Sequence, residues 1–348
     1  MPDWEWKLRL FASADLVGST AYKQSKADTP QHWAPTFKEF FRSFPAAVET
    51  AYGQLPIKCP ACQDKLVPWK FSGDEILFHT TLEDSTHSVS HIAAFKHAVA
   101  KFPEEWAQKQ LPLKLKATAW VAGFPINNTE LEMQASGVTT LDFIGPGIDL
   151  GFRIARFSDT RRFILSADLA LLILDSIDRT ECSGNHFQIH FQGKESLKGV
   201  IGNAPYPILW LDMHDGTDDQ EDLLLGVKRT PQPDVLKPYL RNFLDNTPTL
   251  MRPFIDGDSD SKYSQIPPGH DAMRREMEAE ESGRGYYAGT NGEPEGGQDI
   301  ILKRPRIVAK MAAKPIAPHR RATPASVAKG MRPKMTSKKR PKRRPDTQ

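Results

Sequence analysis

Apolar positions alternate with polar ones along some stretches of the chain and recur every three to four residues along others. These two rhythms divide it into elements. Lys7–Ala14, Leu113–Ala122, Leu141–Ile144, Phe163–Leu165, Phe187–Phe191 and Pro207–Asp212 are short apolar or alternating runs that predict strands. Trp69–His79 contains Ser-Gly-Asp and predicts a strand with a turn, or a strand pair. Trp33–Tyr52 predicts a helix interrupted by proline. In Ser88–Phe102 the residues Ile92, Phe95, Val99 and Phe102 share one helical face, and Pro103 fits the helix end. Pro146–Phe157, starting after Gly145, and Ala167–Ile177 complete the helices. Strands and helices alternate without a long parallel series. The expected class is therefore α+β, a mostly antiparallel sheet with helices on one face.

The pattern weakens beyond about Asp215. Asp234–Leu244 predicts one more helix, although Pro238 argues against an unbroken one. Residues 255–300 are rich in Gly, Asp, Glu and Ser and have no sustained period. Residues 301–348 are dominated by Lys, Arg, Pro and Ala, a composition that cannot bury a core. The expected organisation is a folded domain over 1–215, a short helical extension over 216–254, an acidic flexible linker over 255–300 and a disordered basic tail over 301–348.

Charge sharpens that division. The net charge is only +3, but residues 301–348 carry 16 Lys and Arg against one acid, Asp346, so the other 300 residues sum to −12. The tail can meet nucleic acid, a membrane surface or the acidic linker through counterion release, without sequence specificity. No apolar run reaches the roughly 18 residues that span a bilayer, and the N-terminus lacks the basic-then-apolar layout of a signal peptide. A cytoplasmic protein is expected. Cys59, Cys62 and Cys182 cannot all pair and read as reduced thiols. "CPAC" supplies two of the four ligands of a zinc site, with Cys182 or distant histidines left for the rest, and reads better as loop thiols. His87, His91 and His97 read as surface or interface residues.

Two acids stand out against this background. "FASADLVGST" ends an apolar strand in Asp15 and continues through Gly18, Ser19 and Thr20; "WKFSGDEILFH" places Asp74 after a glycine beside another apolar strand. Carboxylates at neighbouring strand ends can share hard divalent cations, and two such cations on one phosphate can activate an attacking oxygen and stabilise a leaving one. Gly18 then allows a close turn, whose amides with the following helix start can cradle an anion, with Ser19 or Thr20 as the cap. The plainer reading of Asp15 alone is an acid capping a turn. In "LDFIGPGIDLGFRIARF" a helix would put Asp149, Arg153 and Arg156 on one face. An arginine there can neutralise charge developing in phosphoryl transfer; the plainer reading is a surface Asp149–Arg153 ion pair.

Together these motifs resemble the class III nucleotidyl cyclase catalytic domain, over roughly Leu8 to Leu211. "FASADLVGST" resembles the first metal motif of that family and "KFSGDE" its Lys-x-x-Gly-Asp turn. Asp142, Gly145, Asp149 and Arg153 fall at the spacing of its Asp-x-x-Gly-x-x-x-Asn-x-x-x-Arg motif, with Asp149 in place of the asparagine. The resemblance implies a ferredoxin-like βαββαβ core working as a head-to-tail homodimer with sites at the interface. Asp15 and Asp74, with the Leu16 carbonyl, would bind two Mg²⁺ or Mn²⁺ ions. Arg153 would stabilise the transition state, Asp149 would stand at the ribose, and Lys70 and Asp142 would read the base. Lys198, in "ESLKGV", resembles a late-strand Lys-Gly pair near the triphosphate.

"WKFSGDEILF", "IDLGFRIARFSDTRRFILSADLA" and "LKGVIGNAPYPILWLD" look most like the pyrimidine cyclases of bacterial antiphage defence, the Pycsar systems. That resemblance implies UTP as substrate, cyclic UMP as product, and a separate effector reached through the product. The alternatives are a cytidylate cyclase, an adenylate cyclase, and an inactive cyclase-like domain with a nucleic-acid-binding tail. Lys70 can donate to uracil, cytosine or adenine, and Asp142 can accept from each. A pyrimidine leaves a purine-sized site partly empty, so a bulky lining residue is expected; Tyr52, Phe71 and Trp69 are candidates.

Overall fold

A computed structural model describes residues 5–26, 32–55, 62–135, 138–180, 187–213, 230–247 and 249–287. All of them lie in the first of the chain's two units, Met1–Thr290. Cys59, Cys182, residues 214–229 and the stretch 288–348 lie outside the described residues.

The strands are β1 (Lys7–Val17), β2 (Val67–Ser72), β3 (Glu75–Leu82), β4 (Lys114–Phe124), β5 (Thr129–Ala135), β6 (Val138–Ile144), β7 (Arg162–Leu165), β8 (Ile189–Ser196) and β9 (Pro205–Asp212). Among the described residues the α-helices are α1 (Ser19–Ser25), α2 (Ala34–Gln54), α3 (His87–Gln108), α4 (Pro146–Ile154), α5 (Ala167–Ser176), α6 (Pro233–Asp245) and α7 (His270–Tyr287). Seven strands form one sheet in the order β2-β3-β1-β4-β7-β9-β8, while β5 and β6 form a separate hairpin. Every described pairing in the large sheet is antiparallel except β4 with β7. The β2-β3-β1-β4 half, with α2 between β1 and β2 and α3 between β3 and β4, is the expected ferredoxin-like βαββαβ arrangement.

Register assigns the two faces of the sheet. Ala12 pairs with Phe78, and Phe78 packs on Phe44 of α2 and Phe95 of α3. Phe11 pairs with Trp120, and the ring of Trp120 lies where a Cβ on Gly151 of α4 would fall, 2.2 Å from the ring carbons. Successive strand residues point to opposite faces, so α2 and α3 cover one side and α4 with the β5–β6 hairpin covers the other. Arg9, Phe11, Ser13 and Asp15 of β1 all project to the α4 side. Arg9 fastens the hairpin there, with Nε donating to Glu130 at 2.6 Å.

Several expectations change. Pro103 does not end α3; the helix runs on to Gln108, because Trp106 is buried against Phe40 and Phe102 and this packing outweighs one lost hydrogen bond. α6 likewise runs through Pro238, and α2 through Pro45. Pro146–Phe157 is α-helical only to Ile154 and finishes as a 3₁₀ turn. The β5 strand has no apolar signal, since "TELEMQA" lies in a hairpin outside the main sheet. Residues 255–287 are not a flexible linker. Ile255 and Tyr263 are buried in the main core, and Asp258 accepts a hydrogen bond from Ser85 Oγ at 3.0 Å. Residues 270–287 form α7. Long polar spacers between a few buried anchors hide this packing from a periodicity search. No helix among the described residues is long and apolar enough to cross a membrane.

Candidate active site

Asp15 is the last β1 residue paired with β3, opposite Glu75, and it also pairs with Lys116 of β4. Asp74 stands in the two-residue turn between β2 and β3, after Gly73, whose φ of 66° suits a residue without a Cβ. Asp74 turns its carbonyl to the Leu16 amide at 3.3 Å and accepts a side-chain hydrogen bond from Ser19. The two acids that resemble metal ligands therefore meet at one corner of the sheet. Lys116 Nζ lies 2.8 Å from Asp15 Oδ2.

The charge of this corner is unbalanced. Burial raises the Asp15 carboxyl above its ordinary range; Lys116 pulls it down and Asp74 pushes it up. Burial likewise raises Glu75, opposed by a hydrogen bond with Ser13 and reinforced by Asp15 and Asp74. Lys116 acts on Asp15 and Glu75, and Asp74 adds a third carboxylate beside them. Hard oxygen donors with surplus negative charge suit a divalent cation, and Lys116 shows that a positive charge is accepted there. Among the described residues no group of three or more His, Cys, Asp and Glu forms a metal cage. Such an open set fits Mg²⁺ or Mn²⁺, which take one or two carboxylates together with substrate phosphates and water. Lys116 and Glu75 were not foreseen in the sequence. The traces they leave there are the "GDE" tripeptide and the polar phase of the "KLKATAW" strand.

The turn after Asp15 differs from expectation in one respect. Gly18, with φ 87°, is the N-cap of α1, and no side chain caps that helix. Ser19 is buried and spends its hydroxyl on Asp74, while Thr20 is exposed. The helix is only seven residues long, so its dipole adds little to an anion site.

A second group lies on the same side of the sheet. Lys70 Nζ is 2.9 Å from Asp142 Oδ1, joining residues 72 apart in the chain. Burial opposes ionisation of Asp142, but hydrogen bonds from Lys70 and the Phe143 amide outweigh it and hold the carboxyl below its ordinary range. The Lys70 ammonium also lies 4.0 Å from the centre of the Trp69 ring. Of the bulky candidates, only Trp69 joins this group. Phe71 points to α2, where it packs edge-on against Phe41. Tyr52 bonds His91 on the α2–α3 side, 2.6 Å from Nδ1. His91 is itself fully buried inside the chain, contrary to its reading as a surface or interface residue.

Asp149 and Arg153 are exposed on α4, and among the described residues neither makes a side-chain hydrogen bond or ion pair. The surface Asp149–Arg153 ion pair of the plainer reading is absent among the described residues. Arg156 instead donates to the Ser196 carbonyl at 3.1 Å. Lys198 is exposed beyond the end of β8, four strands away from β1, about 19 Å at ordinary strand spacing. Strand directions also put it at the end of the sheet opposite Asp15. One chain thus brings together Asp15 with Asp74, and Lys70 with Asp142, but leaves Lys198 remote from the acidic corner.

No family model and no curated protein matches this chain. Among solved structures it is similar to the adenylyl cyclase CyaB from P. aeruginosa, at 14% identity over 66% of this chain and 98% of that one, with a TM-score of 0.45. It is also similar to the guanylyl cyclase Cya2, at 16% identity over 60% and 92%, TM-score 0.41. A third is the guanylate cyclase domain of RhGC from Catenaria anguillulae in complex with GTP, at 10% identity over 60% and 97%, TM-score 0.43.

Proposed function

We propose that this protein is a metal-dependent nucleotidyl cyclase that converts UTP to 3′,5′-cyclic UMP and pyrophosphate. The observation that carries the reading is the meeting of Asp15 and Asp74 at one sheet corner, with a preformed Lys70–Asp142 pair on the same side of the sheet. The first group can hold cations and the second can read a base. Reaction joins the ribose 3′-oxygen to the α-phosphorus as the bond to pyrophosphate breaks.

Asp15 and Asp74 are the residues that would hold divalent cations, with the Leu16 carbonyl completing the set. Bound there, such cations favour ionisation of the 3′-hydroxyl and neutralise phosphate charge. Lys70 donates to a ring oxygen or nitrogen of the base, and Asp142 accepts from its N–H. The unpartnered guanidinium of Arg153 is free to meet charge on the α-phosphate. Asp149 orients the ribose by accepting from a hydroxyl, where an asparagine would also donate. The remoteness of Lys198 from the acidic corner of its own chain supports a head-to-tail homodimer, in which Asp15 and Asp74 of one chain face Asp142, Asp149, Arg153 and Lys198 of the other. A cyclic pyrimidine nucleotide would act as a second messenger in antiphage defence, read by a separate effector.

Complementation tests the reading. Asp74→Ala and Arg153→Ala proteins are each expected to lose at least about 100-fold in turnover. Mixing them should restore activity, because a mixed dimer keeps one intact site. A mixture as inactive as its parts would exclude shared sites, and full activity of Asp74→Ala would exclude the mechanism.

A further inference from the structure

Ser19 does not face outward like a residue that meets substrate. It is 3% exposed at the start of α1, and its Oγ donates to Asp74 Oδ2 across 55 positions of the chain. The Leu16 amide donates to the Asp74 carbonyl at 3.3 Å. The turn that follows Asp15 therefore grips Asp74 twice, once by main chain and once by side chain. Gly18 makes the second contact possible. Its φ of 87° turns the chain sharply after β1, and a Cβ there would stand 3.1 Å from the Pro112 carbonyl oxygen.

Asp74 needs such a restraint. It stands in a two-residue turn, and Asp15 and Glu75 lie close enough for its charge to raise both of their carboxyls. Like charges drive its side chain outward whenever no cation is bound. A hydrogen bond on Oδ2 opposes that drift and leaves Oδ1 open to a cation. The donor is also neutral. Lys116 steadies Asp15 with a charge that competes with a metal ion, whereas the Ser19 hydroxyl steadies Asp74 without competing.

We infer that Ser19 is the positioning residue that presets Asp74 to take a divalent cation. The inference rests on the cyclase reading for the identity of that cation, and adds the residue that orders its ligand before the ion arrives. The serine hydroxyl has a single proton. Committed to Asp74, that proton is not available to an ionised phosphate oxygen, which only accepts. Ser19 thus acts through Asp74, and any contact of this turn with phosphate is left to main-chain amides.

The experiment titrates Mn²⁺ by calorimetry, without nucleotide, into the full-length protein and its Ser19→Ala, Asp74→Asn and doubly substituted variants. Ser19→Ala should weaken Mn²⁺ binding by about 10-fold or more, as loss of a hydrogen bond to a metal ligand does. Added to Asp74→Asn, the same change should weaken it no further. Binding of UTP in EDTA, followed by equilibrium dialysis, should be the same with and without Ser19→Ala. Unchanged Mn²⁺ affinity in Ser19→Ala, or equal weakening in both backgrounds, would overturn the inference. So would a loss confined to UTP binding in EDTA, which would return Ser19 to the phosphates. A protein in which Ser19→Ala weakens Mn²⁺ binding as expected, but which forms no cyclic product from any triphosphate, would overturn the cyclase reading and leave the role of Ser19 standing.

Discussion

Lys116 Nζ lies 2.8 Å from Asp15 Oδ2, across a ladder in which the two residues are direct partners. A lysine so placed competes with any cation that Asp15 would hold. Lys116→Met should therefore tighten Mn²⁺ binding in the absence of nucleotide by about threefold to fivefold, as befits a partly exposed ion pair worth up to about 1 kcal/mol. A Mn²⁺ titration followed by calorimetry checks this. Unchanged or weaker binding would show that Lys116 does not compete for the acidic corner.

Gly151 fixes α4 on the sheet. A Cβ at this position would fall 2.2 Å from two ring carbons of Trp120, far inside contact distance. Gly151→Ala should cost about 1–3 kcal/mol in urea denaturation through overpacking. Because α4 carries Asp149 and Arg153, the same change should reduce turnover by a larger factor than it reduces stability. Turnover that falls only in proportion to the folded fraction would separate α4 from the chemistry.

Asp168 gives a pH signature far from the acidic corner. Burial pushes its carboxyl up to about 6, against hydrogen bonds from Ser166 and the Leu169 amide. An acid whose pKa rises on folding binds its proton more tightly in the folded state. Its contribution is therefore fully present below the unfolded value and declines as pH rises through the folded one. Between about pH 4 and pH 6 this costs up to about 3 kcal/mol. Asp168→Asn should raise the melting temperature at pH 7 and leave it nearly unchanged at pH 4. Thermal melts at the two pH values test this, and an equal shift at both would refute it.

The packed C-terminal extension hangs on Asp175. This carboxylate is almost wholly buried on α5, takes two hydrogen bonds from Arg241 at 2.7 Å, and accepts one from Tyr263 Oη at 3.0 Å. Arg241→Ala strips the principal partner from a buried charge and should destabilise the fold by about 2 kcal/mol or more. Tyr263→Phe removes one neutral donor and should cost about 1 kcal/mol. Urea denaturation of both variants orders the two effects, and the reverse order would contradict the arrangement.

The sheet was legible where apolar rhythm matched burial. β1, β3 and β4 are inner strands, and their alternating or continuous apolar runs mark them directly. α3 past Pro103 and the segment around Ile255 and Tyr263 were not legible, because single buried anchors such as Trp106 and Tyr263 hold them against local proline, glycine and charge signals. At the candidate site, the residues that come together, Asp15 with Asp74 and Lys70 with Asp142, were each singled out by motif spacing. Lys116 and Glu75 were not, since their places beside Asp15 depend on cross-strand register, which is not a property of any one segment.

The most direct measurement incubates the purified protein with Mn²⁺ and each of the four nucleoside triphosphates separately, and identifies the product by mass. Cyclic UMP from UTP, lost in Asp74→Ala, is the expected result. Cyclic AMP as the main product would keep the cyclase chemistry and overturn the pyrimidine assignment. No cyclic nucleotide from any triphosphate, from protein that binds Mn²⁺ and is fully folded, would contradict the account.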